Sequence, residues 1–113
     1  MANAFLRKSV TSGNARTDVL SAVVGANTEV VCIGILASNK DSSARTVTLE
    51  IKYDNGVDAA TYTSLATNIP LPVGSTVSLL DTSKLVLGEN ENLTVTADAA
   101  SAVDLHLSYL EIT

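Results

Sequence analysis

Apolar side chains recur at every second position along most of this chain, a period that admits β-strands and little else. Between Thr46 and Tyr53, Val47, Leu49, Ile51 and Tyr53 fall on one side and Thr46, Thr48, Glu50 and Lys52 on the other. That spacing predicts a strand with one face in a core and one in water. The same alternation sets Val103, Leu105, Leu107 and Tyr109 against Asp104, His106 and Ser108, and Leu93, Val95 and Ala97 against Thr94, Thr96 and Asp98. These two segments, separated by Ala99-Ala100-Ser101, read as a hairpin.

One stretch breaks the rule. From Glu29 to Ala37, apolar residues occupy both parities: Val31, Ile33, Ile35 and Ala37 on one, Val30, Cys32 and Leu36 on the other. The pattern predicts a strand covered on both faces, the outer cover being a chain arm or another subunit. Weaker strands are expected over Thr17–Val23, Ala60–Ile69 and Ser75–Leu80. Turn-forming residues punctuate these segments at Gly25-Ala26-Asn27, Asn39 to Ser43, Asp54-Asn55-Gly56, Pro70 to Gly74 and Gly88 to Asn92. Pro70 and Pro72 withhold their amides from a ladder, so the chain is expected to cross between sheets there. The fold class is therefore all-β: an antiparallel two-sheet β-sandwich, jelly-roll-like, of about eight short strands. Residues 17–113 form the sandwich domain, and residues 1–16 form an N-terminal arm or edge strand.

At 113 residues the chain has room for one core. Its net charge of −5 argues against nucleic acid as a partner, since that affinity comes mainly from Lys and Arg. The charge is lopsided: residues 1–52 carry six basic and four acidic side chains, whereas residues 53–113 carry Lys84 against eight acids. Such asymmetry can orient subunits in an assembly. The single cysteine, Cys32, lies in the apolar run Val30-Val31-Cys32-Ile33 and reads as a core residue. No run approaches the ~18 apolar residues of a membrane span, and the first residues lack the order of a secretory signal. A soluble protein made in a cytoplasm is the expectation.

Chemistry-bearing residues are sparse. Asp104, His106 and Ser108 share one face of a strand, but residues two apart on a strand point outward in parallel and build neither a relay nor an oxyanion hole. They read as a polar sheet face or a subunit contact. Asp54, Asn55 and Asp58 place oxygen atoms around Gly56 like the start of a calcium loop. A twelve-residue loop of that kind needs an acid at position 65, which is Leu65, so the segment reads as a hairpin turn and these three residues stay weak metal candidates. Asn92-Leu93-Thr94 matches the glycosylation sequon and is set aside for want of a secretion signal. No cofactor is implied. Tyr62 is the one aromatic left over for a sugar platform.

The succession of pieces nonetheless resembles a group of small virion proteins of tailed bacteriophages. It comprises Ile33-Gly34-Ile35-Leu36-Ala37-Ser38-Asn39, then Ala44-Arg45-Thr46-Val47-Thr48-Leu49, then Asn68 to Thr76 leading to Leu79-Leu80-Asp81. Lys84 to Glu89, Asn92 to Ala97 and the closing Val103 to Ile112 complete it, so the resemblance spans roughly residues 17–113. It implies a non-enzymatic structural protein of the virion, with capsid decoration (cement) first and a head-tail neck or tail/fibre adaptor second. A carbohydrate- or receptor-binding module is the reading from outside that class. The implied partners are further copies of the chain, as a homo-oligomer with a trimer favoured, and the major capsid protein or another virion protein, with no nucleic acid and no membrane. Phe5, Leu6, Val30 and Leu36 are the expected apolar contacts, with Arg7, Lys8 and Arg16 pairing with acids on the shell.

Overall fold

Period-two alternation and an abundance of β-branched residues produce nine strands in the computed structural model, which describes residues 3–80 and 84–113. They are β1 (Asn3–Ser12), β2 (Thr17–Asp18), β3 (Glu29–Asn39), β4 (Arg45–Tyr53), β5 (Thr61–Leu71), β6 (Thr76–Ser78), β7 (Leu85–Leu87), β8 (Glu91–Ala97) and β9 (Val103–Ile112). One sheet has the order β1-β9-β3-β6, with β7 also on β3; the other has the order β2-β8-β4-β5. Every pairing is antiparallel. This is jelly-roll order, each sheet drawing strands alternately from the two halves of the chain. The ninth strand arises because β6 and β7 pair with the same edge of β3, at residues 36–38 and 30–32, as two pieces of one interrupted edge strand.

The inner faces meet in a core of Leu, Val, Ile and Ala, in which Ile35, Leu49, Leu71, Leu87, Leu93, Leu105 and Leu107 are the largest fully buried side chains. Val47 and Leu49 on β4 and Val103, Leu105 and Leu107 on β9 face inward on the expected parity. Tyr53 does not follow Val47 and Leu49 inside: it ends β4 beyond the cover of the opposite sheet and is 43% exposed.

Two expectations are corrected. Strands β8 and β9 form no hairpin, because they belong to different sheets. The corner between them turns at Ser101, which adopts φ +52°, and carries the chain across the core. Nor do the two apolar parities of β3 mark the two faces of one regular strand. Cys32 pairs with Tyr109 and Gly34 with Ser108, so Ile33 is an extra residue, a β-bulge. The bulge shifts the parity: Val30 and Cys32 face inward before it, and Ile35, Ala37 and Asn39 after it. The outer face of β3, with Ile33 and Leu36, is left exposed.

The segment Pro70 to Gly74 carries the chain from β5 to β6, and so from one sheet to the other. Its corner is held by Asn39, whose buried amide donates to the Leu71 and Ser43 carbonyls at 2.9 Å each, while its Oδ1 accepts the Asp41 amide at 2.9 Å. Gly74 turns at φ +72°, where a β-carbon would be strained.

Candidate assembly surface

The free edges of the two sheets differ. On β5 the ladder to β4 slips twice, near Asn68 and Leu65, and such bulges blunt an edge against further pairing. On β1 all ten residues keep an unbroken register with β9. The outer face of the β1-containing sheet is accordingly regular, and its side chains line up in rows across the strands.

One row is wholly apolar: Phe5 on β1, Leu110 on β9, Val31 on β3 and Val86 on β7. Phe5 is 79% and Val86 52% exposed, and Ile33 and Leu36 widen the exposed apolar zone. Toward the other end of β1 and β9, from the Arg7–Ser108 pair onward, the outer face turns polar. Ser9 and His106 Nδ1 share a hydrogen bond of 2.7 Å, Thr11 donates to Asp104 at 2.7 Å, and the Ser38 and Thr76 hydroxyls lie 2.9 Å apart. Lys40 adds an ion pair to Asp104 at 3.1 Å. The Thr11 hydroxyl, and then Lys40, hold the Asp104 carboxyl below its ordinary range. A shallow depression of about 300 Å³ opens over this polar half.

A Ser–His pair raises the question of nucleophilic chemistry. Asp104 is committed to Thr11 and Lys40 rather than to the imidazole, and the pair lies on an open sheet face. The arrangement is that of a hydrogen-bonded surface ladder.

The expected contact residues fall in different places. Phe5 and Leu36 lie on the outer face just described. Leu6, next to Phe5, has the opposite parity and stands across from Tyr109 at the uncovered inner side of β1. Arg7 faces outward opposite Ser108, and Lys8, opposite Leu107, has the inward parity and lines one side of a groove that Tyr109 and Val30 also line. Val30 is corrected: at 2% exposure it is a core residue, because the bulge fixes its parity inward. Arg16 belongs to the other sheet, where Nε donates to Glu50 at 2.9 Å and the guanidinium lies 3.8 Å from the centre of the Tyr62 ring. The Glu50 hydrogen bond raises the Arg16 pKa further. Tyr62, the one candidate sugar platform, is thus covered by Arg16.

Two oxygens of the Asp54 loop accept amides of the turn itself. Asp54 Oδ1 accepts the Gly56 amide at 3.0 Å, Asn55 Oδ1 accepts the Val57 and Asp58 amides at 3.0 Å each, and Gly56 adopts φ +78°. Asp54, Asn55 and Asp58 build the turn between β4 and β5. Asn92 of the sequon is buried. Asp81, part of the quoted resemblance, lies outside the described residues, as do Met1 and Ala2 of the N-terminal segment. What reading along the chain misses is the row itself. Leu110, Val31 and Val86 come from three distant segments, and register alone brings them to Phe5.

No family model matches the chain, and no curated protein matches its sequence. Solved structures do resemble it in fold. A chain from Bacillus endospore appendages, disulfide-linked pili, is 16% identical with a TM-score of 0.55, over 99% of this chain and 87% of that one. A chain of the T13 IBDV viral particle is 11% identical with a TM-score of 0.58, over 96% of this chain and 30% of that one. A Clostridium thermocellum xylanase 10B fragment carrying CBM22-1 and GH10 modules is 12% identical with a TM-score of 0.49, over 96% of this chain and 24% of that one. At these identities the likeness is one of fold: the chain is an all-β jelly-roll sandwich.

Proposed function

We propose that this chain is a structural subunit of a virus particle, acting by packing rather than by catalysis, and that its place is on the capsid of a tailed bacteriophage as a decoration protein. The exposed apolar row of Phe5, Leu110, Val31 and Val86 carries this reading, since a flat sheet face of that character is a surface for protein contact. The likeness of fold to a chain of a viral particle supports it. A pilus of the disulfide-linked kind is less well supported, because the one cysteine of the chain, Cys32, is buried in the core. A cement protein bridges adjacent capsomers, and many weak copies together resist outward pressure.

Quantitative mass spectrometry of purified virions tests the proposal by counting this chain against the major capsid protein. A ratio near one per capsid subunit, or one per three, is the expected result. A small multiple of six copies per particle moves the protein to the neck or tail, and its absence from particles overturns the virion reading.

A further inference from the structure

The outer face of the β1-β9-β3 sheet carries its charges in a self-complementary layout. Relative to Leu110, Arg7 lies one strand over on β1 and two residues toward Ser108, while Glu29 lies one strand over on β3 and two residues toward Ile112. Leu110 is therefore the midpoint of a line joining a cation to an anion. With strands ~4.8 Å apart and ~3.4 Å per residue, Arg7 and Glu29 stand roughly 17 Å from each other, too far to pair within one copy. Among the described residues neither takes part in an ion pair.

We propose that this face binds a second copy of the chain, face to face, about a two-fold axis through Leu110. An axis in the plane of contact and perpendicular to the Arg7–Glu29 line exchanges the two positions. Each Arg7 then meets Glu29 of the second copy, twice by symmetry. The same rotation carries Phe5 of one copy over Leu110 and Ile112 of the other, so its exposed ring enters an apolar patch. Strands of the two copies cross at roughly 70°, near the orthogonal class of sheet packing. Three strands of ten or eleven residues, β1, β9 and β3, make a face of roughly 500 Å², below the ~800 Å² that each partner gives to a standard interface, so the contact is a weak and dissociable one.

The layout selects two-fold over the three-fold assembly expected from sequence. A self-complementary patch is the mark of a two-fold contact, whereas a trimer joins two different surfaces. Unbroken β1 offers a rival route, edge-to-edge strand pairing between copies. Pairing β1 with its own copy about Arg7 or Lys8 sets like charges opposite each other, which opposes that route.

The inference concerns the isolated protein and stands or falls apart from the virion reading. Its test is sedimentation of the full chain across a dilution series. The wild type is expected to be a dimer that dissociates on dilution, and Phe5→Asp to weaken it about a hundredfold or more. Because Phe5 is exposed, that variant keeps its fold, which unfolding curves verify. Arg7→Glu and Glu29→Arg are each expected to weaken the dimer several-fold, and the double variant to restore it. A monomeric or trimeric wild type overturns the proposal, as does a dimer indifferent to Phe5→Asp. A charge swap that fails to rescue overturns the two-fold about Leu110.

Discussion

Asn92 holds Leu20 from both sides of its peptide: Oδ1 accepts the Leu20 amide at 3.0 Å, and Nδ2 donates to the Leu20 carbonyl at 3.0 Å. The two residues are 72 positions apart, and both are buried. The clamp fastens the segment after β2 along β8, where Val19 also donates to the Leu93 carbonyl at 2.8 Å. Asn92→Ala leaves buried backbone groups unpartnered and is expected to cost about 2–4 kcal/mol in urea unfolding. Asn92→Asp retains the acceptor but loses the donor to Leu20, and it brings a carboxylate into the core. Burial raises that carboxyl's pKa in the folded state, so the deficit relative to the wild type is smallest below the unfolded carboxyl pKa and grows as pH rises through the raised value.

Thr94 offers the opposite case. It is 1% exposed, and its Oγ1 has no hydrogen-bond partner among the described residues. Thr94→Val replaces that hydroxyl by a methyl of the same shape, which is expected to raise stability by about 1 kcal/mol. The unfolding midpoint moves up with an unchanged denaturant slope. Thr94→Ser, which keeps the hydroxyl and loses the methyl, is expected to move it down.

Burial pushes the Cys32 thiol up to about 11. Its folded pKa lies above the unfolded one, so its contribution is fully present below the unfolded value and is lost as pH climbs toward 11. At pH near 8 iodoacetamide is expected to label the native protein at least about a hundredfold more slowly than the protein in urea. Fast native labelling is incompatible with the packing of β3 described above.

On the acid side two carboxyls matter. The Arg45 side chain, at 2.6 Å, is the main cause holding Asp41 below its ordinary range, and the Thr11 hydroxyl plays that part for Asp104. Depressed folded values stabilise the protein above the unfolded pKa near 3.8, and that contribution disappears as pH falls below it. Thermal unfolding followed from pH 6 downward is expected to show a falling midpoint below about pH 4. Asp104→Asn, which still accepts from Thr11 but no longer titrates, is expected to flatten that fall.

How far the fold is legible in the sequence depends on where each strand lies. Strands β4 and β9 are flanked on both sides within their sheets and have one face in the core, so their alternation is clean. The strand count drifts from eight to nine because one edge strand is interrupted, a break that no turn signal marks as lying within a single strand. A period of two says which face a side chain takes but not which sheet a strand joins, hence the misread β8–β9 pair. Phe5 and Leu36 were legible as surface candidates. Their neighbours Leu110, Val31 and Val86 were not, since cross-strand register is a long-range property.

The bulge at Ile33 divides β3 into two reading frames, one ending at Cys32 and the other starting at Gly34. Taking Ile33 into a regular ladder would leave the strand as apolar as before, yet it would force one half out of phase. Either Val30 and Cys32 or Ile35, Ala37 and Asn39 would turn toward solvent. The uniformly apolar character of this stretch thus conceals a phase shift: its two halves reach the same core only because one residue stands outside the ladder.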